Sequence, residues 1–319
     1  MADDYALQLE GVTKRYGDYV AVNALSFAIP RGVIYGCLGP NGAGKTTTLR
    51  MINDIMVPDE GSITILDGMA PGREAARRIG YLPEERGMYP KMRVADVLAF
   101  FAELRGVPGR EAKTRARRWL DRLQIGDWKT NKVQDLSKGM QQKVQFAAAL
   151  IHEPEILILD EPWSGLDPIN ADVLKEIVLE QKAAGRTILF STHLMEQAEQ
   201  ICDSVCIIAR GKRVVEGPLD QVRKAASTDR LVALDFVTEG DTARARDSVL
   251  ADLVSKVTDK RDGLEVELRV GVEPGELLAA LMTAELGVRK FEIVAPTLHQ
   301  IFVDKVGAEA QPLKEVQRG

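Results

Sequence analysis

Lys45 and Thr46 close a run in which glycine recurs, Gly39-Pro40-Asn41-Gly42-Ala43-Gly44, and Thr47 follows. A glycine, four residues and then Gly-Lys-Thr is the spacing of a phosphate-binding loop. Gly39, Gly42 and Gly44 leave the backbone N–H groups from about Asn41 to Thr47 unobstructed, free to wrap a polyanion. The Lys45 ammonium is then expected to reach β- and γ-phosphates and the Thr46 hydroxyl to ligate Mg²⁺. Such a loop needs a strand before it and a helix after it. Val33–Leu38 is an apolar run and Thr47–Ile52 reads as a helix start, whose N-terminal dipole favours anions.

Hydrolysis of a phosphoanhydride also needs carboxylates. The run Ile156–Leu159 is short and continuously apolar, and Asp160-Glu161 ends it. A buried central parallel strand reads this way. Asp160 at its carboxyl end suits the magnesium, and Glu161, directly after it, suits polarising a water that attacks the γ-phosphate. Elsewhere single residues say less. Ser137, ahead of Lys138-Gly139, reads as a helix N-cap. Tyr16 alone is a turn tyrosine, and His193 alone caps the helix after it.

The elements that must position these groups can be read in order. Residues 5–35 look like short strands, with Lys14–Gly17 as a polar turn, and Ser62–Leu66 is another strand. From 93 to 150 the pattern turns helical: Val94, Val97, Leu98 and Phe101 recur at spacings of three and four, Gly106–Gly109 breaks the segment, and a further helix begins near Ser137. Helix 168–183, strand 187–190, helix 194–201 and strand 204–208 complete an α/β alternation, which implies a mostly parallel sheet flanked by helices. After Gly217-Pro218 and a linking helix the order becomes βαββαβ, a ferredoxin-like α+β pattern, closed by a helix over 296–306. The expected domains are 1–223, carrying a helical insert at about 93–150, then 224–308, then a polar tail at 309–319.

Taken together, the loop, Leu136-Ser-Lys-Gly-Met-Gln141 and Asp160-Glu161 closely resemble the ATP-binding-cassette (ABC) family, over roughly residues 5–220. The resemblance gives roles to residues that carry none alone. It implies that Tyr16 stacks on adenine, that Ser137 and Gly139 are the signature that completes the site of an opposite subunit, and that Asp167 belongs to the D-loop Ser164–Asp167. It makes His193 the switch residue that senses the γ-phosphate. Glu84 aligns with the family's Q-loop glutamine, which bridges magnesium to the membrane partner; here it is a carboxylate. In the signature, Lys138 replaces a glycine and Met140 a glutamine. The Tyr81–Gly87 stretch and the small C-terminal domain resemble the sodium- and drug-exporter ATPase branch.

Composition sets the bounds. The chain has 319 residues, 45% of them hydrophobic and 28% charged, as in an ordinary globular protein long enough for two domains. A net charge of −5 gives no case for nucleic-acid binding. Three cysteines form no disulfide framework and fit a reducing cytoplasm. No stretch approaches the roughly 18 apolar residues of a membrane span, and the N-terminus lacks the apolar region of a signal peptide. The expectation is an ATPase working from the cytoplasmic face of the membrane, as an ATP-dependent homodimer on a separately encoded transmembrane permease subunit. A non-transport ABC ATPase is the alternative. Only about 90 residues lie between Lys45 and Ser137, without the sustained heptads that repair-type members carry there.

Overall fold

Two long antiparallel strands, rather than several short ones, open the chain: β1 (Tyr5–Tyr16) and β2 (Tyr19–Pro30). The computed structural model describes residues 4–85, 87–227, 229–260 and 263–307, and the expected polar tail lies outside them. β1 keeps pairing through Lys14–Tyr16, where a turn was expected, and the chain reverses only at Gly17 and Asp18. Register shifts within the β1–β2 ladder break the period-2 alternation, so long strands read from sequence as short ones.

Next come β3 (Ile34–Leu38), α1 (Lys45–Ile52), β4 (Glu60–Ile65), α2 (Arg73–Arg78) and β5 (Ile79–Leu82). The helical segment holds α3 (Val94–Leu104), α4 (Gly109–Arg122) and α5 (Lys138–Leu150). The alternation resumes with β6 (Ile156–Asp160), α6 (Pro168–Ala183), β7 (Thr187–Thr192), α7 (Met195–Ile201), β8 (Ser204–Ala209) and β9 (Lys212–Pro218). Strands β2-β1-β4 form one antiparallel sheet, and β5-β6-β7-β3-β8-β9 form a second, parallel except for β9. β9 was not foreseen, because Lys212–Pro218 is a half-exposed edge strand without an apolar run.

β3, β6 and β7 are buried along their whole length, as strands covered on both faces must be. One apolar cluster draws on both sheets: Leu7, Phe27 and Ile65 from the first, Tyr35, Ile158 and Ile208 from the second, with Leu49 and Met51 of α1. The rings of Phe27 and Tyr35 stack at 5.6 Å across it. Register then sets the chemistry. Leu38 is level with Thr192, and Asp160 with Ser191, so the carboxyl ends of β3, β7 and β6 open onto one edge. An open α/β sheet binds its ligands outside that edge.

The described residues form two compact units that part at Leu219/Asp220, at the start of α8 (Leu219–Ala226). The expected division at 223/224 falls inside that helix. The second unit holds β10 (Leu231–Phe236), α9 (Glu239–Asp247), α10 (Val249–Leu253), β11 (Val254–Lys260), β12 (Gly263–Leu268), α11 (Pro274–Thr283), β13 (Val288–Ile293) and α12 (Leu298–Val306). Its antiparallel sheet runs β11-β12-β10-β13, the strand order of the ferredoxin-like pattern. Val232, Leu234, Leu264, Val266 and Leu268 turn one face of this sheet to a core shared with α10 and α11. The first helix of the expected βαββαβ order is two helices, α9 and α10, broken at Ser248 (φ −121°, ψ −90°).

Candidate functional site

Gly39 and Gly44 are where the loop after β3 cannot carry a side chain. Gly39 has φ 155°, and a Cβ there would lie 2.2 Å from the Ile208 carbonyl oxygen. Gly44 has φ 103°, and its Cβ would meet the Ala21 carbonyl oxygen at 2.4 Å. Gly44 also caps α1 with no side-chain acceptor, so the first N–H groups of that helix remain available. The Lys45 side chain is nearly buried, and its Nζ donates to the carbonyls of Gly39 (2.8 Å) and Pro40 (3.1 Å).

Asp160 is fully buried at the end of β6. Its Oδ1 accepts from Thr46 Oγ1 at 3.3 Å and from Ser191 Oγ, while its Oδ2 is buried with no partner. Burial pushes the Asp160 carboxyl above its usual range, and the two hydroxyls oppose that shift. A buried carboxylate oxygen without a partner calls for a cation. Among the described residues, no group of three or more His, Cys, Asp or Glu side chains is placed to hold a metal. Thr46 and Asp160 therefore fit an Mg²⁺ ion that completes its shell with phosphate oxygens and water, the usual arrangement for this ion.

Glu161 takes a left-handed backbone conformation, φ 48°, which costs a non-glycine residue about 1–2 kcal/mol. The turn aims its carboxylate at the end of β7. Oε1 accepts from the His193 backbone N–H at 3.1 Å and from His193 Nδ1 at 2.8 Å, and Oε2 accepts from Thr192 Oγ1 at 3.2 Å. A carboxylate offers about four acceptor positions, so one is left. The contact places the hydrogen of the half-exposed His193 ring on Nδ1 and leaves Nε2 facing outward from the pair. Beneath Glu161, the buried Trp163 ring meets Phe190 edge-on at 5.0 Å, with its Nε1 unpaired.

These groups surround one open cavity of about 340 Å³. Of the sequence-predicted residues, Tyr16, Asn41 to Thr47, Glu84, Glu161 and His193 line it. Gly39 and Pro40 sit behind it as backbone acceptors for Lys45, and the fully buried Asp160 does not line it but bonds to Thr46, which does. Burial, and then the charges of Asp160 and Glu161, raise the Glu84 carboxyl above its usual range, against the pull of Lys45. Ser137, Gly139 and Asp167 do not line the cavity. Ser137 Oγ accepts from Met140 N at 3.3 Å, which caps α5, and Asp167 caps α6 by accepting from Asn170 N at 3.0 Å.

The arrangement matches known proteins over almost its whole length. A chain of Bacillus subtilis, an uncharacterized ABC transporter ATP-binding protein (YhaQ), is 43% identical over 302 residues, covering 95% of this chain and 99% of that one. This chain belongs to the ABC transporter ATP-binding proteins. Within this ABC ATP-binding chain, residues 22–164 match the ABC transporter family model and residues 217–306 match the C-terminal domain of DrrA1-3-like ATP-binding proteins. The Nod factor export ATP-binding protein I of Ralstonia nicotianae is 34% identical over 278 residues, 86% of this chain and 84% of its own. A solved ATP-binding subunit of an ABC transporter superposes with a TM-score of 0.65 at 33% identity, over 69% of this chain and 92% of that one. No helix among the described residues is long and apolar enough to cross a membrane.

Sequence reasoning missed Tyr19, Ser191 and Thr192 of this ABC site. Tyr19 pairs with Tyr16 across the β1–β2 reversal, lines the cavity, and donates its hydroxyl to the Gly42 carbonyl at 3.3 Å. Ser164, named from sequence as the start of the D-loop, lines the cavity too, whereas Asp167 at its end does not. Ser191 and Thr192 hold Asp160 and Glu161 from the neighbouring strand. The signal available for those two was their place at the end of an apolar run, Thr187–Phe190, parallel to Ile156–Leu159.

Proposed function

We propose that this chain is the Mg²⁺-dependent ATP-hydrolysing engine of an exporter, working as a homodimer on a separately encoded permease. The observation that carries the reading is the meeting, on one cavity, of the phosphate loop with the Glu161–His193 pair, and of Thr46 with the buried Asp160 behind it.

Each residue has a role. Tyr16, with Tyr19 beside it, stacks on the base. The loop N–H groups and Lys45 hold the β- and γ-phosphates, and Lys45 exchanges two carbonyls for phosphate oxygens as it does so. Thr46, Asp160 and Glu84 hold the ion. Mg²⁺, when bound, offsets charge on the β- and γ-phosphate oxygens. Glu161 offers its remaining acceptor position to a water. That water's oxygen bonds to the γ-phosphorus, the bond from phosphorus to the β,γ-bridging oxygen breaks, and Glu161 takes the proton. His193, held by Glu161, turns Nε2 to the γ-phosphate.

The γ-phosphate lies open to water on the side away from the loop. Ser137, Gly139 and Asp167 of a second copy close it, in a head-to-tail pair about a two-fold axis in which both sites are complete. The Tyr89, Phe100 and Phe101 rings pack together at 5.4–6.1 Å on and beside α3, and permease helices dock on this helical insert, so the engine lies peripherally on the cytoplasmic face. The export direction is supported by the relative that serves Nod factor export. The unit 220–307 is an accessory domain.

The test is Glu161→Gln with Mg-ATP. Steady-state turnover is expected to fall about 10²–10⁴-fold with ATP binding kept. In sedimentation velocity the same variant should form a dimer on addition of Mg-ATP, which Ser137→Arg abolishes. Turnover within threefold of the unmodified chain would remove Glu161 from the mechanism. A dimer indifferent to both ATP and Ser137→Arg would remove the closed pair. Recovery of a multi-span membrane protein with the chain from detergent extract checks the permease.

A further inference from the structure

The sheet of the second unit has two faces, and its core accounts for one. Period-2 alternation puts Val232, Val266 and Val257 in one row against the core helices. Residues one step along each strand therefore face the other way. In register across β11, β12 and β10 they form two rows: Lys256, Glu267, Leu231, and then Thr258, Glu265, Ala233.

This second face is not bare. Helix α12 lies over it, fixed by a capping box at Thr297 and Gln300. Gln300 Nε2 donates to Glu265 Oε1 at 2.8 Å, which ties the helix to the sheet. Arg223 of α8 donates to the carbonyls of Ala295 and Pro296 and holds the segment entering α12. Between helix and sheet remains a cavity of about 160 Å³, far more than the ~10–15 Å³ that one water requires.

The charged groups around this cavity divide into two sets. One set is consumed by the frame. Arg230 donates to the Leu268 carbonyl and lies 3.6 Å from Glu267, while Glu265 takes Gln300 and also Lys260 at 3.4 Å. The other set is Lys256 and Thr258 on β11 and Asp304 on α12. All three line the cavity, and none has a hydrogen-bond or ion-pair partner among the described residues. Glu267, directly across from Lys256 in register, is engaged by Arg230 instead. An ammonium on the sheet and a carboxylate on the helix are thus left over on two walls of the same space. Leu231, Pro296 and Ala226 supply an apolar remainder of the wall.

We propose that this cavity binds a small aliphatic α-amino acid. Its carboxylate meets Lys256 and the Thr258 hydroxyl, its ammonium meets Asp304, and its short side chain lies against Leu231, Pro296 and Ala226. The complementarity is specific to a zwitterion. A plain carboxylate leaves Asp304 unanswered and a plain amine leaves Lys256 unanswered, so each forfeits one of the charge-assisted hydrogen bonds that the zwitterion makes. The site is separate from the nucleotide cavity, with which it shares no lining residue.

Titration calorimetry of the full chain with L-alanine, L-valine and L-leucine tests this. At least one of the three should bind saturably at one per chain. For L-valine, the deaminated analogue 3-methylbutanoate and the decarboxylated analogue 2-methylpropylamine should each bind about tenfold or more weakly. Lys256→Gln and Asp304→Asn should weaken the amino acid by about the same factor. Both side chains lie at the surface, and an unchanged thermal unfolding midpoint verifies that the variants are folded. Lys45→Ala should leave amino-acid binding intact. Failure of all three amino acids to give saturable heat up to millimolar concentration overturns the proposal. So does binding to both variants at the affinity of the unmodified chain.

Discussion

Two helices of the first unit begin in nearly the same way and end up with opposite fates. α1 starts Gly44-Lys45 and α5 starts Ser137-Lys138. At α1 the capping residue has no side chain, its N–H groups face the cavity, and the lysine is folded back and nearly buried on two carbonyls. At α5 the serine satisfies its own helix through Met140 N, and Lys138 stands exposed. A cation in the first turn opposes the helix dipole in both places. At α1 that penalty is answered inside the chain by the Gly39 and Pro40 carbonyls. The difference teaches that one half of the site is built to receive phosphate from the start. The other half, at α5, is satisfied within its own chain, and only the proposed closed pair would bring a phosphate to it.

Lys45→Ala should break the α1 side of this contrast most deeply. Losing a cation that meets two phosphates should lower ATP affinity roughly 10–100-fold, read by calorimetry, since hydrogen bonds to charged groups contribute about 1.5–3 kcal/mol. An unchanged affinity would mean that the loop does not hold the nucleotide as proposed.

The far end of α5 supplies a control that touches neither helix start. His152 follows α5, bonds through Nε2 to the Ile79 carbonyl at 3.1 Å, and has its Nδ1 buried without a partner. Burial, with Arg105 nearby, brings its pKa down to about 4 from 6.5. Its folded value lies below its unfolded one, so it contributes full stability above pH 6.5 and loses that contribution as the pH falls towards 4. Between pH 7.5 and 5 this amounts to about 2 kcal/mol. His152→Gln should flatten the denaturation stability profile by that much over that range, while ATP binding at pH 7.5 stays unchanged.

Ser137→Ala separates capping from assembly. Loss of the cap should lower the stability of the single chain by about 1 kcal/mol, and Ser137→Gly by only a few tenths. If the closed pair exists, both variants should lose ATP-dependent dimerisation alike, in spite of that difference. The smallest effect belongs to Lys138→Ala. Removing a cation from the first turn should stabilise the chain by about 0.3–1 kcal/mol and leave nucleotide affinity unchanged, because Lys138 does not line the cavity.

Much of this was readable from the residues. The apolar runs Val33–Leu38 and Ile156–Leu159 were legible as strands, which the structure places at Ile34–Leu38 and Ile156–Asp160, and the helix start at Ser137 carried its cap in the sequence. The ferredoxin-like order of the second unit showed in its alternation. What stayed hidden depends on contacts far apart in the chain. The Glu161 clamp needs Thr192 and His193, some thirty residues on, at the end of a parallel neighbour. Tyr19 enters the cavity only because the β1–β2 reversal lies over the loop, reaching Gly42. Bulges disguised the length of β1, and β9 lacks a pattern because it is a half-exposed edge.

The edge-on pair of Trp163 and Phe190 makes the site optically legible. The chain has three tryptophans, and the other two, Trp119 and Trp128, lie in or beside α4. Trp163 alone sits two residues from Glu161, shielded from solvent, in the turn that carries the carboxylate. Its emission should therefore be blue-shifted at rest and respond to adjustment of that turn. With Trp119 and Trp128 replaced by phenylalanine, intrinsic fluorescence becomes a label-free clock for nucleotide arrival, cleavage and release.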